Sequence, residues 1–208
     1  QIDTGTDVAR ALIEKQFPSF RGEPVVAVPQ TGSMHAIFRI GADHAARFPL
    51  RMEDPDACLR QIERAAEASA EFAAHCPFPS PLPVGIGRGS SAYPLPWLVQ
   101  TWVEGETATP YSHAASADFA LDLAALVASL RAIDTKGRTF DGRGRGGRLP
   151  DHDGWMETCF GRSRGLLEVG RLQRMWAHFR ALPDPGRVAM SHRDLIPGNL
   201  LVRGVRLA

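Results

Sequence analysis

One run of twelve residues, from Ser191 to Val202, constrains the fold of this chain more than any other part of its sequence. Within it, His192 is followed by Asp194 two residues later and by Asn199 after five more. Such a loop holds a carboxylate that can accept a hydroxyl proton and an amide oxygen that can hold Mg²⁺, as phosphoryl transfer requires. A turn before a buried strand could produce these letters by chance. Four features occur together here and argue against a chance match: the histidine, the aspartate, the asparagine and the apolar strand after them.

The run resembles the catalytic loop of the aminoglycoside phosphotransferase family, because Pro197 lies between the aspartate and the asparagine. In that family the loop commonly has the pattern His-x-Asp-x-x-Pro-x-Asn-hydrophobic, and the members are small-molecule kinases. The resemblance implies a catalytic set of three residues: Asp194 as the base, Asn199 as a magnesium ligand and His192 as a structural group that bonds the loop backbone. It gives Arg193 no role.

The resemblance also implies the fold class, which is α+β with a bilobal, protein-kinase-like arrangement. We expect a nucleotide-binding lobe with an antiparallel sheet over residues 1–102 and a hinge at about 99–105. The first part of a mainly helical C-terminal lobe should then cover residues 103–208, including the catalytic loop at 191–202.

The two ends of the sequence suggest a piece of a longer chain. It begins at Gln1 without methionine, and only nine residues follow Asn199. In the resembled family a second metal-binding aspartate would come a few residues after Ala208. The helices that close the larger lobe and complete the acceptor site would follow it. We therefore expect the 208-residue chain alone to be inactive or nearly so.

A candidate phosphate-binding turn lies between two predicted strands, at 25–28 and 35–40. The Gly/Ser/Thr composition of the turn would let backbone N–H groups approach phosphate oxygens without obstruction by side chains. Gly32 and Ser33 are the predicted contacts. A plain hairpin with no ligand is the alternative.

A third predicted strand, at 45–50, carries Arg47 where kinases place a lysine against the α- and β-phosphates. The only lysines of the chain are Lys15 and Lys136, so no lysine is available near this strand. Because a guanidinium group does not reproduce the point charge of an ammonium group, Arg47 could instead be an ordinary surface residue.

The following helix should begin at Asp54 and Pro55, which suit the N-cap and the first helical position. On this helix, Glu67 is the predicted partner of Arg47, and Glu63 is the second choice. Either glutamate could equally be a solvated surface residue.

A buried strand is predicted at 94–103, and the sequence Glu-Gly-Glu from Glu104 breaks it. In the resembled family, a strand ending in an aromatic residue before this sequence marks the hinge, where the backbone binds the adenine edge. The predicted nucleotide contacts here are Val99, Gln100, Thr101 and Trp102. A strand and turn without a ligand is the alternative.

The rest of the chain is less specific. A helical stripe should form a core element of the larger lobe, with Phe119, Leu123, Leu126, Val127 and Leu130. The Gly/Arg-rich run at 137–148 favours a flexible loop over an RNA-binding segment. In the resembled family, 151–182 would help build the acceptor pocket. Its candidate contacts for a cationic acceptor are Asp151, Asp153, Glu157 and Glu168, which could also be solvated.

Composition excludes several classes of function. A net charge of +1 argues against a nucleic-acid partner, which requires a concentrated basic surface. The three cysteines contain no C-x-x-C pair, so neither a disulfide framework nor a zinc site is indicated. No apolar run approaches the ~20 residues of a membrane helix, and no signal peptide opens the sequence. We therefore expect a cytoplasmic protein whose partner is a hydroxylated small molecule, and the oligomeric state stays open.

These observations predict an O-phosphotransferase that uses ATP, or GTP, with Mg²⁺. The favoured acceptor is an aminoglycoside-type antibiotic, which would make the protein a resistance enzyme. Alternatives are a kinase for a macrolide, a choline-like alcohol or homoserine, and a non-catalytic nucleotide-binding protein of the same fold. Arg47 in place of lysine favours the non-catalytic alternative, whereas the presence of both Asp194 and Asn199 opposes it.

Overall fold

The computed structural model describes residues 2, 4–29, 34–142, 146–183 and 186–208. The predicted phosphate contacts Gly32 and Ser33 lie outside these residues. The chain divides into two compact units. The first unit comprises Gln1–Leu130 and Leu195–Ala208, and the second unit comprises Arg131–Asp194. The predicted lobe boundary at 102–103 falls within the first unit, so the assignment of lobes stays a prediction.

The first unit is built around a five-stranded antiparallel sheet with the strand order β1-β2-β3-β5-β4. Its strands are β1 (Val25–Ala27), β2 (His35–Ile40), β3 (His44–Pro49), β4 (Pro83–Gly87) and β5 (Trp97–Thr101). Helix α1 (Thr6–Gln16) precedes β1, and helix α2 (Pro55–His75) connects β3 to β4. The three strands predicted before residue 50 and the strand before Glu104 are confirmed, each within a few residues of its predicted bounds.

The sheet has one core face and one half-buried face, because successive side chains of a strand point to opposite sides. On β2, Ala36, Phe38 and Ile40 are buried in the hydrophobic core, whereas the residues between them are half-buried. The strand pairing extends this alternation to β3 and β5. This face therefore carries the half-buried residues His35, Ile37, Arg39, Arg47, Leu98 and Gln100, together with the buried Ala45 and Pro49 of β3.

The core face is held by a cluster of aromatic rings. Phe48 stacks on Trp97 with their ring centroids 4.6 Å apart, and meets Tyr93 edge-on at 5.0 Å. All three side chains are fully buried. The Tyr93 hydroxyl donates a 2.7 Å hydrogen bond to the carbonyl oxygen of Pro49 at the end of β3. This cluster gives β3 a rigid base, because aromatic pairs in offset or edge-on contact add to the energy of burial.

Helix α2 begins as predicted. The Asp54 side chain accepts a 2.8 Å hydrogen bond from the backbone N–H of Ala57, and Pro55 occupies the first turn. Its buried residues are Cys58 and Ile62, which join the sheet core. A good N-cap typically stabilises a helix by about 1 kcal/mol, so the start of α2 is set locally by the sequence.

The first unit also contains a small three-stranded sheet beside helix α3 (Ala117–Ala132). Its strands are β6 (Glu106–Thr107), β7 (Leu201–Arg203) and β8 (Arg206–Leu207). Strands β7 and β8 form a hairpin in which Gly204 has a φ of 63°, a left-handed conformation that glycine adopts at low cost. The sequence predicts a hairpin here, with arms at 200–202 and 205–207 turned at Arg203-Gly204, and this prediction is confirmed.

The predicted stripe of α3 needs one correction. Leu126 and Leu130 are buried as expected, but Val127 is 41% exposed. Asp122 takes the inward position one turn before Leu126, where it is bonded to Arg206 of β8. The packed face of α3 is therefore centred on the line from Asp122 through Leu126 to Leu130, and Val127 lies beside it.

The second unit contains helices α4 (Asp153–Arg162) and α5 (Val169–Arg180). A charged contact joins them: Asp153 accepts hydrogen bonds from Trp176 Nε1 at 2.8 Å and from an Arg180 guanidinium nitrogen at 2.5 Å. Among its described residues, the buried apolar side chains are Ile133 and Phe160. This unit therefore depends more on polar and local contacts than the first unit does.

Within the described residues, none of the helices is both long enough and apolar enough to span a bilayer.

Candidate active site

Arg47 lies at the centre of the half-buried sheet face, opposite Ile37 on β2 and Leu98 on β5. Burial lowers the pKa of its guanidinium group, although an arginine keeps its charge in proteins. Its Nε–H is buried, and among the described residues it has no hydrogen-bond partner. An unsatisfied buried donor costs on the order of 1–3 kcal/mol, which an anionic ligand in contact with Arg47 would relieve.

His35 is the nearest titratable neighbour of Arg47 on this face. It lies opposite Pro49, two residues along β3 from Arg47. Burial, and then the positive charge of Arg47, lower the pKa of His35 to about 4. The ring is therefore neutral at pH 7. The sequence prediction missed His35, although its place in the alternation of β2 was a usable signal.

Arg39 connects the far end of this face to the segment after β5. Its guanidinium group forms an ion pair with Glu104 and donates a 3.0 Å hydrogen bond to the carbonyl of Ala42. It also lies over the ring of Trp102, 5.1 Å from the ring centroid. The backbone N–H of Trp102 donates to the carbonyl of Asp43 at 2.7 Å. These contacts hold the predicted hinge against the turn between β2 and β3.

The four predicted nucleotide contacts on and after β5 do not all lie on the same face. Gln100 pairs with Ala45 on the face of Arg47, whereas Val99 is fully buried in the core. Thr101 exchanges hydrogen bonds with Leu82, at 2.8 Å through its backbone N–H and at 2.9 Å through its hydroxyl. Because β5 pairs with strands on both sides, its backbone groups are largely committed to the sheet. After β5, the backbone groups that lie outside the strand pairing begin at Trp102.

The predicted ion pair between Arg47 and a helix glutamate is not formed among the described residues. Glu67 and Glu63 are both exposed, and neither contacts Arg47. The physical reason is the rotation of α2, whose packed side carries Cys58 and Ile62. Each glutamate follows a packed position by one residue, which turns it about 100° away from the sheet.

The predicted catalytic run is divided between the two units. His192 and Asp194 are half-buried residues at the end of the second unit, and burial lowers the pKa of His192. Between them, Arg193 has a φ of 67°, a left-handed conformation that is uncommon for residues other than glycine. Its guanidinium group lies 5.4 Å from the ring centroid of Phe140. Sequence reasoning gave Arg193 no role, and a strained residue beside a candidate base is typical of functional loops.

Asn199 lies in the first unit, at the end of a short 3₁₀ turn formed by Pro197–Asn199. Its backbone N–H donates to the carbonyl of Ile196 at 2.9 Å. The next residue, Leu200, is buried, and its carbonyl accepts a 2.9 Å hydrogen bond from Ala108. The chain on the C-terminal side of Asn199 is thus anchored, whereas Asn199 itself is exposed.

The chemistry of Asn199 fits a contact with Mg²⁺. Its amide oxygen is a hard donor, and Mg²⁺ in phosphotransferases takes few protein ligands and completes its shell with phosphate oxygens and water. In the described part of the chain, no group of three or more His, Cys, Asp and Glu side chains could hold a metal ion.

The sequence matches the phosphotransferase enzyme family over residues 28–208. No curated protein sequence matches the chain. Among solved structures, the GDP and kanamycin complex of APH(2″)-IIIa has a TM-score of 0.63 and 17% identity, and the match covers 94% of this chain and 67% of that chain.

Two further structures extend this likeness. Macrolide 2′-phosphotransferase MphH from Brachybacterium faecium has a TM-score of 0.58 and 20% identity, with 97% of this chain and 69% of that chain covered. A choline/ethanolamine kinase family protein from Mesorhizobium loti has a TM-score of 0.55 and 21% identity, with 97% and 62% covered. The predicted α+β, protein-kinase-like fold is confirmed. With most of its length matched by the family, this chain belongs to the phosphotransferase enzyme family.

Proposed function

We propose that this protein transfers the γ-phosphoryl group of ATP, or of GTP, to a hydroxyl group of a small molecule. The observation that carries the proposal is the buried Nε–H of Arg47 on one face of the antiparallel sheet, which no described residue satisfies. A nucleoside triphosphate is an anion suited to that position in a family of phosphotransferases. Similar structures were solved as a GDP complex and as an ATP complex, which supports the use of a nucleotide.

At the nucleotide, Arg47 would bind phosphate oxygens. Gln100, on the same face, and Trp102, beyond the end of β5, would lie toward the base. We infer that the backbone contacts to the base come from the segment after Thr101, since the β5 ladder occupies the groups before it. Contacts from Gly32 and Ser33 stay predictions from the sequence.

In the transfer step, Asp194 accepts the proton of the acceptor hydroxyl while the hydroxyl oxygen attacks the γ-phosphorus. The bond from that phosphorus to the β–γ bridging oxygen breaks, so the products are the phosphate ester and the nucleoside diphosphate. Asn199 would hold Mg²⁺, which supplies charge neutralisation at the phosphate oxygens when it is bound. His192, neutral at pH 7, would position the loop. Most of the rate should come from positioning and charge stabilisation.

An aminoglycoside-type antibiotic remains the first choice of acceptor, which would make the protein a cytoplasmic resistance enzyme. It is supported by similar structures of APH(2″) enzymes with kanamycin, streptomycin and gentamicin. The macrolide phosphotransferase and the choline/ethanolamine kinase family protein support the alternative acceptors. Arg47 in place of a lysine keeps a non-catalytic nucleotide-binding protein as the second candidate.

The test is ATP and GTP consumption by the full-length protein with Mg²⁺, across aminoglycosides, macrolides, choline-like alcohols and homoserine. We expect turnover that depends on one acceptor class and is abolished by Asp194→Ala. Arg47→Lys is the matched variant for the nucleotide site and should retain part of the activity with a changed KM for the nucleotide. Nucleotide binding without turnover for any acceptor would favour the non-catalytic candidate. Turnover that survives Asp194→Ala would overturn the assigned base.

A further inference from the structure

We propose that His35 is a second phosphate-binding residue of the nucleotide site, and that it takes up a proton when a nucleoside triphosphate binds. This inference rests on the proposed function, because it assumes that the half-buried face of the sheet receives the nucleotide. It adds a residue and a proton to that site. The test below separates failure of this inference from failure of the proposed function.

The strand register places His35 beside Arg47. His35 is opposite Pro49, and Arg47 is opposite Ile37, so the two cationic candidates are diagonal neighbours on one face. Diagonal pairs in an antiparallel sheet have Cβ atoms about 7–8 Å apart or somewhat less, within the span of a di- or triphosphate. The electrostatic effect of Arg47 on His35 agrees with this proximity. A polyanion bound to Arg47 would therefore lie within reach of the imidazole.

No hydrogen bond joins the described residues to the ring of His35 or to the Nε–H of Arg47 on this face. Neither ring nitrogen of His35 forms a hydrogen bond to any other described residue, and the Nε–H of Arg47 is likewise unsatisfied. For Arg47, a buried donor that no described residue satisfies is costly. Phosphate oxygens can accept a hydrogen bond from His35 and another from Arg47, so the two side chains together suit a phosphate group.

The surrounding charges favour an anion. The five strands of this sheet contain two arginines, two histidines and no aspartate or glutamate. The two besides His35 and Arg47 are Arg39 and His44. Arg39 forms an ion pair with Glu104, and His44 lies on the core side of β3 beside the ring of Phe20. The acidic residues of α2 named above, Glu63 and Glu67, are exposed and do not contact Arg47. Among the described charged groups, Arg47 is the one that acts on His35 electrostatically.

Proton uptake follows from the change in charge. Without a ligand the pKa of His35 is about 4, because burial and Arg47 both disfavour the imidazolium form. A bound triphosphate would place negative charge next to the His35 ring and outweigh the positive charge of Arg47. This change favours the imidazolium form of His35. His35 then changes from a neutral ring to a cation that donates to phosphate. By linkage, nucleotide affinity should rise as the pH falls from about 8 toward 6.

The experiment is isothermal titration of the full-length protein with the Mg²⁺ complex of a non-hydrolysable ATP analogue. It is run at pH 7 in two buffers of different ionisation enthalpy, so that the difference in heat counts protons. We expect the wild-type protein to take up on the order of half to one proton more than His35→Gln. We also expect His35→Gln to bind about tenfold more weakly, the loss of one charged hydrogen bond.

His44→Gln is the matched control, since it removes a histidine from the other side of the same sheet. We expect it to keep the proton uptake of the wild-type protein. A second readout needs no variant: the NMR signals of the His35 ring should move from the neutral to the imidazolium position on nucleotide addition at pH 7. If His35→Gln fails to fold, this measurement decides alone.

The outcomes are distinct. Nucleotide binding with no excess proton uptake, or with the His35 ring still neutral, overturns the inference and leaves the proposed function intact. Equal affinity of the wild-type protein and His35→Gln also overturns it. If the wild-type protein binds no nucleotide, the proposed function and this inference fail together.

Discussion

The two units of this chain differ in how they are held together and in their charge. The first unit has a large hydrophobic core around its five-stranded sheet, in which Phe48, Tyr93 and Trp97 are fully buried. In the second unit, the described buried apolar residues are Ile133 and Phe160. The second unit has thirteen Lys and Arg against eight Asp and Glu, a formal charge of +5. The rest of the chain has eleven against fifteen, a formal charge of −4.

The difference shows how the proposed tasks are distributed. Arg47 and Gln100 lie on a sheet whose other face is densely packed, so the core holds the strands that carry them. The proposed base Asp194 lies in the lightly packed and basic unit. In that unit, Asp153 is bonded to Trp176 and Arg180, so this predicted contact for a cationic acceptor is already committed. The other predicted contacts, Asp151, Glu157 and Glu168, are exposed. Because this unit is basic, uncharged acceptors also belong in the assay panel.

The largest expected effect is on catalysis in the second unit. Asp194→Asn removes the proposed base with little change in shape, so kcat should fall by about 10³-fold while the melting temperature stays nearly constant. Steady-state kinetics and thermal unfolding of the same samples measure both. Asp134→Asn is the control, because Asp134 is an exposed aspartate of the same unit that bonds the Lys136 backbone. Equal loss of activity in both variants would contradict the assignment of the base.

The next largest expected effect is on stability, and it compares a buried aromatic residue of the first unit with one of the second unit. Phe48→Ala should cost about 3–5 kcal/mol in the free energy of unfolding, because its cavity is surrounded by fixed aromatic rings. Phe160→Ala should cost less, about 2 kcal/mol, since its surroundings contain few buried neighbours and can collapse into the space. Urea denaturation of both variants measures the difference. Similar losses at the two positions would show that the second unit is as tightly packed as the first.

A smaller effect concerns acid stability of the first unit. Hydrogen bonds from Arg206 lower the pKa of buried Asp122 below its usual value. A depressed carboxyl pKa contributes stability that is present above the unfolded value of about 3.9 and is lost as the pH falls through the folded value. Asp122→Asn should therefore lower the melting temperature at pH 7 and flatten its decline below about pH 4. A variant as acid-sensitive as the wild-type protein would refute this role.

The smallest effect is on the contact between α4 and α5. Asp153 and Arg180 have side chains that are 40% and 42% exposed, so solvent screens their attraction. Asp153→Asn should cost only about 0.5–1 kcal/mol in unfolding free energy and leave nucleotide affinity unchanged. A double-mutant cycle with Arg180→Gln isolates the pair. A coupling energy well above 1 kcal/mol would mean that the second unit depends on this ion pair more than its exposure suggests.

Local patterns in the sequence predicted the elements of the fold well. Asp54 and Pro55 start α2, the predicted bounds of β2 match the observed strand, and Gly204 marks the hairpin between β7 and β8. Each of these features depends on residues within a few positions of one another. A cap, a pleat and a left-handed turn are short-range properties, and a single sequence contains them.

Long-range contacts were missed. The bonds between Asp122 and Arg206 span 84 positions, and their geometry depends on how α3 meets the small sheet. The exposure of Glu67 depends on the rotation of α2, and the inward position of Val99 depends on the register of β5. A shift of one residue in strand register would exchange its two faces, so local patterns alone could not assign these positions.

The sequence by itself determined the kind of protein this is. The run from His192 to Asn199, together with the succession of strands and helices, was sufficient to identify the family. Only the tertiary structure decided which side chains share a face. It placed His35 beside Arg47, turned Glu67 to solvent and left the Nε–H of Arg47 without a hydrogen-bond partner among the described residues. The reason is that chemistry is encoded in residue types at short spacing, whereas proximity depends on register and helix rotation set by the whole core.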